Sequence, residues 1–432
     1  MATHKKARQP DWEATALDRI NNLPINILHL ILDRLPLHDA ARTTTLSKTW
    51  RTLWGSQTEL VFDDVFFQHL VSKKYKQAFE VSLTISNILL VHTGPILKFH
   101  LYIPKTLPLL HTDLWIRNIS NSGVKKLELF NKRPSAYKMP SYLFSCLELT
   151  DLTLDNCILS PPLGFGGFCN LINARLLDVK ITAKMSFGAQ LEKLDLKYCV
   201  GIRYLRGQFG PDNNIRKLMI SYCRKINWKW FKYTRNVETL GLMFVKCPQR
   251  QHVINLDSIV CNMPKIQVLL LDGVPFEYVD PGASVLKRLR IMDNLISLQL
   301  PVAFYDLVQT QCVICLIRSA PNLQNLCIML EPKVKSVDGT QSLTVSRVEE
   351  YLKSPDLVDL ILDKLETVDI LGTVGSRSEL HFIKLLLASS PSLVWMKIYK
   401  RDTIDDPRNE LRILGEVTQL PRASPIAKIK WN

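Results

Sequence analysis

One phrase recurs along the middle of this chain and constrains its fold more than any other feature: an apolar residue, then x-x-Leu-x-Leu-x-x-Cys. Its cleanest copies are Leu149…Leu152…Leu154…Cys157, Leu191…Leu194…Leu196…Cys199 and Ile215…Leu218…Ile220…Cys223. Looser copies put the second apolar residue at Leu127, Ala174, Leu240, Leu269 and Leu289. The markers therefore step by 25, 22, 20, 24, 22, 29 and 20 residues. Leu-x-Leu alternation places both leucines on one face of a short strand. The Cys, Val or Asn three residues on falls where the chain leaves that strand, and it must be buried there. A unit this small is not stable alone, so stacking has to complete a continuous core and a parallel sheet. Their shared place in the repeat makes Cys157, Cys199 and Cys223 small apolar core residues, not nucleophiles or metal ligands.

The spacing falls within the range of leucine-rich repeats, and the phrase resembles theirs. The fold expected is an α/β solenoid. Residues alternating with the leucines then point away from the core, onto a concave face: Asp151, Thr153 and Asp155; Lys193, Asp195 and Lys197; Lys217, Met219 and Ser221; Arg288, Arg290 and Met292. Mixed charge with Met suits a protein-binding surface. Lys193, Asp195, Lys197, Lys217, Met219, Arg288 and Arg290 are the candidate substrate-binding residues. Past residue 295 the period stretches, with markers at Leu326, Val368 and Met396. The polar insert Glu331 to Ser346 reads as a surface loop. Helices are expected over Cys312–Ile317 and Leu380–Leu387, each stopped by a proline turn before a strand. The lone Cys312-x-x-Cys315 has no second pair or nearby His pair and falls on the first of these helices, so it reads as core.

The first sixty residues follow another period. Leu23-Pro24 sets a helix start, because Pro suits a first helical turn. Ile27, Leu28, Ile31, Leu32 and Leu35 then recur at three- and four-residue steps until Pro36 stops the helix. A second short helical run spans Leu37 to Thr45, and Ser47 is placed to cap a third helix carrying Trp50, Leu53 and Trp54. Three short helices cannot bury all of this apolar surface, which points to a partner.

Leu23-Pro24, Ile31-Leu32, Leu35-Pro36, Asp39 and Ser47-Lys48-Thr49-Trp50-Arg51, in that order, resemble the F-box. One acidic position usual in that motif is Asn26 here. The resemblance implies docking on a Skp-type adaptor, which links to cullin and RING subunits, through Leu23, Pro24, Ile31, Leu32, Leu35, Pro36 and Trp50. Near the other end, Leu365 to Pro391 and Pro421 to Ala427 are similar to the plant FBD domain. The combination resembles the plant F-box/FBD/LRR-repeat proteins. The organisation expected is a disordered basic start over 1–17, an F-box over 18–60, a repeat solenoid over 61–361 and a capping FBD region with tail over 362–432.

The resemblance implies a substrate-recognition adaptor of a Skp–cullin–F-box (SCF) ubiquitin ligase. It performs no chemistry itself and takes its target protein on the repeat and FBD surface. No triad, zinc spacing or phosphate loop is present, so no catalytic residue, metal or cofactor is expected. The alternative is a small-molecule or inositol-phosphate receptor on the same scaffold, motivated by Lys193, Lys197, Lys217, Arg288 and Arg290. The net charge of +15, from 55 basic against 40 acidic residues, also raises nucleic acid as a partner. Its best support is the basic–aromatic run Tyr222 to Lys232, which reads instead as a repeat's convex side with Trp and Phe turned inward. No stretch of about 18 apolar residues is present, which argues against a membrane span. The polar, basic start lacks a secretory signal's apolar stretch, so the compartment expected is cytosol or nucleus.

Overall fold

The computed structural model describes residues 20–72, 78–105, 111–205, 213–224, 226, 228–244, 261–273, 291–332, 340–401 and 407–432. Two compact units divide the chain. One comprises Met1–Leu171 and Leu177–Ala183, the other Ile172–Leu176 and Lys184–Asn432.

The first unit opens with helices α1 (Ile25–Arg34), α2 (Leu37–Arg42) and α3 (Lys48–Gly55). Pro24 and Pro36 each stand immediately before a helix. The second helical run tightens into a 3₁₀ turn over Thr43–Thr45. Ser47 caps α3, its hydroxyl accepting the Trp50 N–H at 3.4 Å. Leu28 and Leu32, one turn apart on α1, are buried with Trp50, Leu53 and Trp54 of α3. Buried Gln57 donates to the Leu32 carbonyl at 3.4 Å and ties the end of α1 to the segment after α3.

Strands β1 (Glu59–Phe62), β2 (Lys98–Ile103), β3 (Lys126–Asn131) and β5 (Asp151–Asp155) follow in parallel order. Leu60, Phe99, Leu127 and Leu152 stand in one row across them, all buried. Helices α4 (Asp64–Ser72), α5 (Ala78–Val91) and α6 (Thr112–Ser120) connect the early strands. Strands β4 (Tyr137–Lys138), β6 (Cys157–Leu159) and β8 (Lys180–Ile181) form a smaller parallel sheet. The sheet thus begins at Glu59, ahead of the point where the leucine phrase becomes legible.

Strand β7 (Asn173–Leu177), which carries Ala174, precedes β9 in the sheet order, and in the second unit β9 (Lys193–Lys197), β10 (Lys217–Ser221), β11 (Thr239–Met243), β12 (Val268–Asp272) and β13 (Ser297–Val302) pair in chain order. So do β14 (Asn325–Leu330), β15 (Thr367–Thr373), β16 (Trp395–Lys400) and β17 (Lys428–Trp431), every pair parallel. The row through their cores reads Leu194, Leu218, Leu240, Leu269, Leu298, Leu326, Val368, Met396 and Ile429.

Leu298, not Leu289, follows Leu269 in that row. Leu289 itself lies outside the described residues. Asparagines confirm the new register. Asn214, Asn236, Asn294 and Asn322 each stand four residues before a row residue and donate through Nδ2 to a carbonyl of the preceding turn, at 3.2, 3.1, 2.9 and 2.7 Å. Asn294 therefore begins a repeat, where the sequence pattern had placed it at a repeat's end. Met292, expected on the open face, is buried in the turn before β13.

Helix α7 (Leu307–Arg318) covers the expected helical segment and buries Cys312. Part of the insert expected as a loop belongs to helix α8 (Thr340–Leu352). The segment from 362 is built from the same parts as the body: β15, α9 (Arg377–Ser389), β16, α10 (Pro407–Thr418) and β17. Ser376 and Glu379 cap α9 reciprocally. The serine hydroxyl accepts the Glu379 N–H, and the carboxylate accepts the Val374 and Gly375 N–H groups at 2.9 and 2.8 Å.

The repeat cysteines behave as the periodicity requires. Cys157, Cys199 and Cys223 are buried, and their thiols donate to carbonyls at 3.3 to 3.5 Å. Burial pushes the Cys157 thiol well above its ordinary range, which removes the thiolate that nucleophilic or metal chemistry needs.

Candidate functional site

Helix α1 carries two apolar stripes. Leu28 and Leu32 face the three-helix core. Ile27, Leu30 and Ile31 stand exposed on the adjoining face, joined by Leu23, Ile25 (65% exposed) and Leu46 (63%). A single helix needs only one stripe to pack on its own chain, so the second is surplus for folding. Of the residues expected to dock, Leu23, Pro24, Ile31 and Pro36 are exposed and Leu35 is half-buried. Leu32 (0% exposed) and Trp50 (2%) are corrected to core residues. Leu32 lies one turn from Leu28, and Trp50 lies on the inner face of α3 with Leu53 and Trp54. A period alone could not tell which of two adjacent stripes would be covered. Ile20, Ile25, Leu30 and Leu46 are exposed apolar residues the pattern missed, and Ile27, part of the stripe, is exposed as well though not expected to dock; Leu46 falls outside any helix period.

On the strands, side chains alternating with the leucines project from the face opposite the core. In the first unit three of their acids have basic partners within the chain. Glu59 pairs with Lys98 at 3.3 Å, Glu128 with the His100 Nδ1 at 2.7 Å, and Asp155 with Lys132. The hydrogen bond from His100 holds the Glu128 carboxyl below its usual range, with Lys98 and Lys126 nearby adding to it and partial burial opposing.

In the second unit Lys193, Asp195 and Lys197 project from β9, and Lys217 and Met219 from β10. Lys193 is the direct cross-strand partner of Lys217, and Asp195 of Met219. Asp195 is held by the Arg175 Nε at 3.2 Å. Among the described residues no ion pair engages Lys193, Lys197 or Lys217. Ser221 is buried, a correction to its expected place on this face. Arg288 and Arg290 lie outside the described residues. The aromatic residues Trp230 and Phe231 of the basic run are buried, which takes them away from any nucleic-acid surface.

A further feature had no signal in the leucine pattern. The residue two past the second leucine adopts positive φ in four successive repeats, at Asn156 (53°), Asp178 (49°), Tyr198 (56°) and Tyr222 (56°), and again at Gly273 (60°) after β12, but not at Phe244 after β11. Asn, Asp and Gly tolerate this conformation, whereas for a bulky residue it is an outlier. At Gly273 the requirement is steric as well, since a Cβ there would fall on the Phe244 carbonyl.

Among the described residues no group of three or more His, Cys, Asp or Glu side chains could hold a metal ion. Nor, among them, is any helix long and apolar enough to cross a membrane.

A three-helix unit with a surplus apolar face, joined to a parallel leucine-row body, defines an F-box protein of the leucine-rich-repeat class. Comparison with known families agrees. Residues 20–61 match the F-box domain, and residues 88–410 match the At1g61320/AtMIF1 LRR domain. The F-box/FBD/LRR-repeat protein At1g13570 of Arabidopsis thaliana is 27% identical over 95% of this chain and 98% of its own length. Another from that plant, At4g26340, is 29% identical over 96% of this chain and 100% of its own, and the putative F-box/FBD/LRR-repeat protein At4g03220 is 24% identical over 96% of each. The chain belongs to the plant F-box/FBD/LRR-repeat family.

Proposed function

We propose that this chain is the substrate-recognition subunit of an SCF ubiquitin ligase. An F-box joined to leucine-rich repeats supports the adaptor role in general, and such families are typically not enzymes. In detail, the F-box unit docks on a Skp-type adaptor, which brings cullin and RING subunits. The repeat body, with the FBD region from about residue 362, holds a target protein for ubiquitination. The work is done in cytosol or nucleus.

The observation that carries this reading is the second apolar stripe of α1. Leu23, Ile25, Ile27, Leu30, Ile31 and Leu46 are exposed together beside a core that Leu28, Leu32 and Trp50 already fill. Exposed aliphatic clusters of this kind mark protein interfaces.

Co-expression with a plant Skp-type protein tests it. Replacing Leu23-Pro24 with Ala-Ala is expected to abolish co-purification while the melting temperature stays unchanged. Loss of one interface anchor costs about 2 kcal/mol or more, enough to empty a pull-down. Retained binding by the folded double variant would overturn the reading.

A further inference from the structure

Three lysines, two tyrosines and a methionine on β9, β10 and the turns after them remain without a folding role. We infer that this patch binds an acidic segment of the target in extended conformation, with carboxylates at Lys193, Lys197 and Lys217 and apolar residues between them against Met219 and the Tyr198–Tyr222 pair. The inference rests on the repeat body being the target-binding half of an adaptor, and it names the chemistry of that target.

Charge is the first support. Lys193 and Lys217 are cross-strand partners, a like-charged juxtaposition that is unfavourable unless something negative relieves it. The acid nearest to hand cannot do so, because Asp195 is committed to Arg175. Elsewhere on the open faces, Glu59, Glu128, Asp155 and Asp369 all have basic partners within the chain. Here the basic side is in excess.

Backbone strain is the second, and it is independent of charge. Tyr198 and Tyr222 both sit at φ 56°, in positions where other repeats use Asn, Asp or Gly. Bulky residues held in that region persist where the surrounding structure enforces them, and they cluster at binding sites. Their rings stack, with centroids 5.0 Å apart and planes 15° from parallel, while Tyr198 stays 50% exposed. Lys197, projecting from the open face, lies 5.5 Å from the Tyr198 ring centre, which joins the aromatic pair to the basic strand. The stacked pair is a flat, half-wet platform of the kind interfaces favour.

The middle of the patch is soft. Gly241, adjacent to Met219 on β11, leaves the space its side chain would fill to the methionine; a Cβ there would fall on the Met219 side chain. Met is an adaptable contact for apolar groups of varied shape.

Geometry sets the ligand's spacing. Lys193 and Lys197 are four residues apart on one strand, about 13 Å at roughly 3.3 Å per residue. An extended peptide with acidic residues at positions i and i+4 matches that distance. The Asp195 carboxylate between the two lysines, two residues from each, disfavours a phosphate polymer with charge at every unit. A peptide with an apolar residue at that point avoids it.

The test uses the full chain and a positional-scanning library of fluorescein-labelled nonapeptides, read by fluorescence polarisation. Asp or Glu should be selected at two positions four apart, with an apolar residue between. The double variant Lys193→Glu, Lys217→Glu should lose the acidic preference at one end and weaken the best peptide by about tenfold or more. Tyr198→Asn, the residue type found at position 156, should weaken the apolar preference while the melting temperature holds or rises, which a merely structural tyrosine would not allow. No acidic selection, or unchanged selection by the charge-reversed variant, would sink the inference. So would tighter binding of inositol hexakisphosphate or a single-stranded oligonucleotide than of the best peptide. Scoring co-purification with the Skp-type protein on the same preparations separates the two readings: its loss with peptide selection intact overturns the ligase assignment alone.

Discussion

Helix α1 and strands β9 and β10 solve the same problem in opposite ways. Each buries one face on its own chain and leaves the other uncommitted. On α1 the uncommitted face is chiefly aliphatic, with Asp33 and Arg34 exposed beside the apolar residues. On β9 and β10 it carries three lysines, a locked aspartate and a methionine beside strained tyrosines. An aliphatic face suits one constant partner, since its attraction is non-directional and nearly independent of salt and pH. A charged face discriminates among partners, because wrong juxtapositions cost as much as right ones stabilise. The two faces thus divide attachment from choice.

The contrast breaks most sharply if burial does not separate role from role within the F-box. Trp50→Ala should cost about 3–5 kcal/mol, seen as a large drop in melting temperature, whereas Leu46→Ala should change stability by no more than about 0.5 kcal/mol. Equal melting temperatures would return Trp50 to the docking surface. Next in size, Leu218→Ala should destabilise by about 2–5 kcal/mol. Its strand neighbour Met219→Ala should leave unfolding nearly unchanged and alter only peptide selection. Denaturant midpoints of the pair would settle whether alternation on β10 means what the row implies.

A smaller effect sharpens the difference in pH response. Glu128 is held down in the folded chain by His100. A carboxyl lowered on folding adds stability that is present above its unfolded value and lost as pH falls through the folded one. The acid limb of a stability–pH curve should therefore flatten in Glu128→Gln. Skp-type binding should depend on pH less steeply, because the aliphatic contact on α1 is itself nearly independent of charge. An unchanged acid limb would remove Glu128 from the account. Smallest of all, Lys98→Ala should cost no more than about 1 kcal/mol, since its pair with Glu59 is solvent-exposed. A larger loss in thermal unfolding would mean that this face is built for rigidity.

Much of the fold was legible because the repeat phrase is local. Leu152, Leu194, Leu218, Leu240 and Leu269 each announce a strand, and the structure lines them up. The phrase failed where two copies compete within a few residues: Leu286…Leu289…Ile291 and Leu295…Leu298…Leu300 look alike, and only pairing with β12 selects the second. It failed again at Glu59-Leu60-Val61-Phe62, whose core residues are Leu and Phe with no repeat consensus around them.

Composition and spacing by themselves determined that the chain stacks parallel strands, that Cys157, Cys199 and Cys223 are core, and that a three-helix unit precedes the body. Those conclusions need only the periods of strand and helix, which are properties of a chain and its own neighbours. Which stripe of α1 stays open, which lysines lack an acid and which turns force a tyrosine into positive φ were decided by the tertiary structure. Each depends on what lies across the gap from a residue, and a period of two or 3.6 says only which way a side chain points.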